Sequence, residues 1–204
     1  MFEFFKKKEL NIWKVFSDET NAKFISAKYD QSAKTEIIYD NWKIIFDNYI
    51  NYIVVGNSSS EKTYTRVVVP YESIDNFRFE IYKSGFIRNI EKFFGAQDVE
   101  LGISKFDKKF IIKSNNEFKI KNLLQNLEIR NLIESLKDVN IETSNKKGIW
   151  EQELPEKQFE LSFYVLNEIK NTSELKELLK LLKLLIDQLV LIKSIKSISN
   201  SIIQ

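Results

Sequence analysis

The chain contains no histidine and no cysteine. Those two zeros exclude disulfides, Cys/His zinc sites, iron–sulfur ligation, thiol nucleophiles and every catalytic triad that needs an imidazole. Glycine occurs five times and proline twice in 204 residues. No two of Gly56, Gly85, Gly95, Gly102 and Gly148 have the spacing of a phosphate-cradling loop or a dinucleotide turn, so they read as turn and helix-end residues. Neither sign of charge dominates: 31 Lys+Arg face 29 Asp+Glu, for a net charge of +2. That balance gives no global electrostatic case for nucleic acid. No apolar run reaches the roughly 18 residues of a spanning helix. The greasiest stretch, 178–192, is interrupted by Lys180, Lys183, Asp187 and Gln188. Near the N-terminus Phe2, Phe4 and Phe5 precede Lys6, Lys7 and Lys8, the reverse of a secretory leader. The expectation is a cytoplasmic protein with no transmembrane segment, and the Phe/Lys segment adds peripheral membrane contact as a third functional reading.

What is present is the composition of an ordered protein, with 43% hydrophobic, 13% aromatic and 29% charged residues. The patterning predicts a single α+β domain over 1–204, with a mostly antiparallel sheet covered by amphipathic helices. A helix is expected at about 9–20, where Leu10, Trp13 and Phe16 recur at helical spacing. Short strands follow at 22–27, 35–39, 42–49 and 52–55. Gly56-Asn57-Ser58-Ser59-Ser60 then turns the chain into a strand at 64–69, which Pro70 is expected to end or place on an edge. Phe77-Arg78-Phe79-Glu80-Ile81-Tyr82 alternates as a half-buried strand, and a helix is expected over 86–94. Further strands are expected at 110–113, 139–143 and 159–166, with helices after Asn115 or Asn116 and at 128–136. The longest helix is expected at about 171–192, with Asn171 as N-cap and Glu174 in its first turn.

Chemistry-bearing motifs are sparse. Asp98 and Glu100 would share one strand face, and Asp107 lies nearby in sequence. The set is too thin for a metal signature, and no cofactor is expected. Asp107 with Glu117 and Lys119 matches a nuclease-like spacing superficially, but Glu117 sits where a helix should start. Arginine occurs only at 66, 78, 88 and 130 in a lysine-rich chain. Arg66 and Arg78 therefore stand out, read first as ion-pair partners of carboxylates such as Glu80 or Asp98, and alternatively as an anion site. Leu175, Leu178, Leu182, Leu185, Leu189 and Ile192 step by three and four along the last helix. That seam either packs on the sheet or joins a protein partner or a second copy of the chain.

The segments Tyr64-Thr65-Arg66-Val67, 77–86, 95–102 and 106–113, with Leu154-Pro155-Glu156, resemble a family of uncharacterised bacterial proteins over roughly 64–189. The resemblance implies no activity and transfers no catalytic residue. The reading that emerges is a non-enzymatic cytoplasmic protein-interaction or scaffold domain, with self-association through the C-terminal helix as one form of it. Its rival is a small-molecule or anion-binding domain or enzyme built on Arg66, Arg78, Asp98, Glu100 and Asp107.

Overall fold

The computed structural model describes residues 11–28, 31–55, 58–84, 97–146, 153–166 and 168–198. The helix expected over 86–94, the N-terminal Phe/Lys segment and the tip at Gly56-Asn57 lie outside those residues. The described elements, in chain order, begin with α1 (Ile12–Thr20), β1 (Lys23–Ile25), β2 (Lys34–Tyr39), β3 (Trp42–Val55), β4 (Ser58–Ser73) and β5 (Phe79–Lys83). There follow β6 (Gln97–Asp98), α2 (Ser104–Asp107), β7 (Phe110–Ser114), α3 (Glu117–Gln125) and α4 (Leu127–Ser135). The chain then forms β8 (Asn140–Ser144), β9 (Gln158–Leu166), α5 (Thr172–Leu191) and β10 (Ile195–Lys196).

The ten described strands form one sheet in the order β1-β2-β3-β4-β9-β8-β5-β7-β6, with β10 on β4. Every pairing is antiparallel. The α+β class and the mostly antiparallel sheet are therefore as the sequence predicts. Three details differ. First, the two pieces expected at 42–49 and 52–55 are one strand, because cross-strand pairing runs unbroken from Ile45–Val68 to Val55–Ser58. Second, Pro70 does not end β4. It pairs with Glu160 of β9. On the other edge of β4 it falls between Val68, the last partner of β3, and Glu72, a partner of β10, a gap where a residue without an N–H is accommodated. Third, β5 is buried on both faces rather than half-buried, since Glu80 and Tyr82 are covered as well as Phe79 and Ile81. It lies inside the sheet between β8 and β7.

The four longer described helices start by one rule in this glycine- and proline-poor chain. Asn11, Asn116, Asn126 and Asn171 are the N-caps of α1, α3, α4 and α5, and each side chain accepts a hydrogen bond from a first-turn N–H. The amide oxygen satisfies a donor that the helix itself leaves unpaired. The apolar faces of α1, α3, α4 and α5 join one core with the inward residues of the sheet, among them Phe46, Val67, Phe163, Ile141, Phe79 and Ile112.

The leucine seam of α5 belongs to that core. Leu175, Leu178, Leu182 and Leu185 are 0% exposed and Leu189 is 1% exposed within the chain alone. Ile192, the C-cap, is half-buried against the same cluster. Of the two readings of the seam, packing within the chain is the observed one for Leu175, Leu178, Leu182, Leu185 and Leu189. The physical reason is the width of the apolar face: Leu179, Leu181 and Ile186 are also buried, so a broad face of the helix is covered by its own chain. Leu182→Ala should accordingly lower stability by about 2–5 kcal/mol, read as a shifted denaturation midpoint at unchanged slope. A wild-type midpoint would show that the seam is not packed.

Candidate functional site

The five residues singled out as a binding set do not converge. Arg66 lies on β4 directly opposite Asp47 of β3, and its Nε and Nη2 donate to the two carboxylate oxygens at 2.9 and 2.8 Å. The guanidinium also lies 5.0 Å from the ring centroid of Tyr49. This is the structural ion pair that the sequence suggested, with a different partner from Glu80 or Asp98. β4 and β5 are separated in the sheet by β9 and β8, so Arg66 and Glu80 are not on neighbouring strands. Asp98 sits on edge strand β6 opposite Lys113 and is exposed. Glu100 lies beyond that two-residue strand and is exposed. Asp107, in α2, accepts a hydrogen bond from the Leu101 N–H at 3.0 Å. From β4 to β6 is five strand steps, roughly 24 Å along the sheet. Among the described residues no three metal-ligating side chains group together. The nuclease-like spacing is also dispersed: Glu117 pairs with Lys121 at 2.6 Å, while Lys119 pairs with Asp75.

Arg78 has a different setting. It is held where the loop after β4 enters β5, and the backbone on both sides of it is clamped. The Asn115 side chain accepts from the Arg78 N–H at 2.8 Å and donates to the Asn76 carbonyl at 2.8 Å. The Arg78 carbonyl accepts from the Ser114 hydroxyl at 3.0 Å and from the Asn115 N–H at 3.2 Å. Two further turns fix the loop: the Ser73 hydroxyl accepts from the Asn76 N–H at 3.0 Å, and Asp75 accepts from the Phe77 N–H at 3.1 Å. The guanidinium lies 5.0 Å from the Phe159 ring centroid, and no carboxylate among the described residues pairs with it.

Around it opens a groove of about 390 Å³, lined on one wall by Asn76 and Arg78 and on the other by Asn145, Glu153, Pro155 and Lys157, with Phe159 at its base. The far wall is a tight turn. The Gln158 N–H donates to the Pro155 carbonyl at 2.9 Å, which places Lys157 in the third turn position with φ 65°. A turn of that kind favours glycine there, because a side chain at positive φ is strained. Asn76, on the opposite wall, has φ 57°. The Lys157 carbonyl accepts from the Ser73 N–H at 2.8 Å, tying the two walls together.

Beneath the groove the aromatic stack continues inward. Phe159 packs on Tyr71 with ring centroids 5.8 Å apart. Burial pushes the Tyr71 phenol well above its usual range, while a hydrogen bond with Thr143 and the nearby charge of Arg78 pull in the other direction. Arg78 thus rests on a rigid, dry base with its charge facing an open groove. The guanidinium offers a planar fork of donors suited to a carboxylate or phosphate. The scarcity of arginine was a sequence signal sufficient to find Arg78. Nothing in the spacing signalled Asn115, Lys157 or Phe159 as its companions, since they arrive from the turn after β7, the turn before β9 and β9 itself.

No family model and no curated protein matches this chain. Among solved structures, the crystal structure of the mycobacterial trehalose monomycolate transport factor A, TtfA, is similar at a TM-score of 0.44 and 9% identity, over 86% of this chain and 91% of that one. A likeness at that level carries no argument about function. No described helix is long and apolar enough to cross a membrane.

Two outcomes follow from this geometry. Lys157→Gly relieves positive-φ strain and should leave stability unchanged or raise it by up to about 1 kcal/mol, whereas Asn115→Ala should lower it by about 1–3 kcal/mol and speed hydrogen exchange at the Arg78 amide. Equal effects of both changes in a denaturation series would contradict the clamp. Above pH about 10 an unfolded tyrosine loses its proton while buried Tyr71 keeps its own. The unfolded state then binds fewer protons, so stability should fall as pH rises, with Tyr71 contributing a slope approaching 1.4 kcal/mol per pH unit. Tyr71→Phe should flatten the alkaline limb by that amount, and an unchanged limb would place the phenol in contact with water.

Proposed function

We propose that this chain is a non-enzymatic interaction domain that captures an acidic segment of a protein partner, with Arg78 as the docking point. The observation that carries this reading is Arg78: its backbone is clamped on both sides, its guanidinium lies over the Phe159 ring, and no carboxylate among the described residues pairs with it. Preorganisation lowers the entropy lost when a ligand binds. Glu153 and Glu156 line the same groove. They oppose a dianionic phosphate and favour a singly charged carboxylate flanked by donors that can meet them. The groove volume lies near the lower end of the range for ligand sites, which suits one or two side chains of an extended segment rather than a large cofactor.

The rival set reduces to the same place. With Arg66 satisfied by Asp47, and Asp98, Glu100 and Asp107 on the far edge of the sheet, Arg78 remains the member available to an anion. An enzymatic reading would need a nucleophile hydrogen-bonded to a base in the groove. Besides Arg78, the titratable lining residues are Glu153, Glu156 and Lys157, and among the described residues no side-chain hydrogen bond joins them into such a pair.

With four arginines in the chain, the Arg78 Nε–H resonance can be assigned by substitution and followed directly. Titration with a panel of short acidic and neutral peptides should shift that resonance saturably for acidic members only, and Arg78→Ala should abolish binding while Arg78→Lys weakens it at least tenfold. An Arg78 signal that no acidic peptide moves, or binding that survives Arg78→Ala, would overturn the proposal.

A further inference from the structure

A second surface is independent of the groove. β2 pairs with β3 only as far as Asp47, and β9 pairs with β4 only from Thr65 onward. β3 and β4 nevertheless continue to pair with each other out to Val55 and Ser58. The result is a two-stranded arm that extends roughly 24 Å beyond the neighbouring strands. A two-stranded ribbon without further support is marginal in water, so what its edges do matters.

The two edges differ in sequence. On β4 the arm runs Ser58-Ser59-Ser60-Glu61-Lys62-Thr63, and adjacent charges of this kind guard an edge against pairing. On β3 it runs Ile50-Asn51-Tyr52-Ile53-Val54-Val55, six residues without charge, proline or glycine. In a chain with 29% charged residues, this is the β-prone, uncharged pattern of a strand that pairs. Among the described residues no strand covers that edge, and Tyr52 is 67% exposed.

We propose that the Ile50–Val55 edge pairs antiparallel with the same edge of a second copy, forming a two-fold dimer with a continuous sheet. Charge selects this occupant. An uncharged strand has no electrostatic handle with which to recognise a foreign partner, whereas two copies of it meet with no like-charge pair. Antiparallel pairing of identical edges is isologous and closes at two chains. The guarded β4 edge prevents the arm from extending into a fibre.

The absence of native cysteine makes the test direct. Each position from 50 to 55 is substituted singly by cysteine in the full chain and oxidised. Lys62→Cys on the guarded edge and Ile38→Cys on β2, 68% exposed, serve as controls. Sedimentation should show a monomer–dimer equilibrium between micromolar and millimolar concentration. Cross-linking should peak at one or two adjacent positions near the two-fold axis, such as Tyr52→Cys or Ile53→Cys, and be at least tenfold slower for both controls. Tyr52→Lys, on an already exposed side chain, should weaken dimerisation at least tenfold at low salt with an unchanged circular dichroism spectrum. A monomer throughout that range, species larger than a dimer, equal cross-linking at Lys62→Cys, or association unaffected by Tyr52→Lys would each overturn the proposal.

Discussion

Strand β4 is the member on which the other parts depend. It pairs with β3 along one edge and β9 along the other, and then takes β10 beyond the end of β3. A single 16-residue strand therefore joins the N-terminal meander of β1, β2 and β3 to the half built from β5, β7 and β8. Its buried residues Val67, Val69 and Tyr71 contribute to the core that α1, α3, α4 and α5 cover. Its first residues form the arm, and the loop at its end carries Arg78. Pro70 is compatible with this role because one edge of the strand has a gap at that point.

The two arginines show how context separates identical chemistry. Arg66 meets a carboxylate directly across the strand pair and directs two donors onto it, a partly buried arrangement in which removing Arg66 would take away the counter-charge of Asp47. Arg78 meets an aromatic face instead. Stacking on Phe159 orients the guanidinium without satisfying its hydrogen bonds. The difference comes from which strands lie alongside each arginine, not from the residues next to them in sequence.

Scarcity of glycine and proline shifts turn formation to asparagine. It caps four helices and also occupies positive-φ positions at Asn21 and Asn76. An amide side chain can accept from the backbone and tolerates the left-handed region, which is why one residue type serves both purposes. Asp40, Lys157 and Lys193 are positive-φ positions held by other residues, and the strained turn at Lys157 lines the groove.

The sequence by itself determined the elements. Apolar spacing located α1, α3, α4 and α5, asparagine marked the starts of α3 and α5, and alternation located β2, β7, β8 and β9, because these signals act over a few residues. It also singled out Arg66 and Arg78, by the contrast of four arginines against many lysines. The tertiary structure alone decided the order of strands, the partner of Arg66, the burial of both faces of β5 and the enclosure of the α5 seam. Each of these depends on which segments meet after long stretches of chain: Arg78 stands over Phe159, and Tyr39 donates to Asp187 across 148 positions. Backbone pairing in a sheet is nearly indifferent to residue type, so many strand orders satisfy the same alternation, and only the simultaneous burial of all the apolar faces selects one.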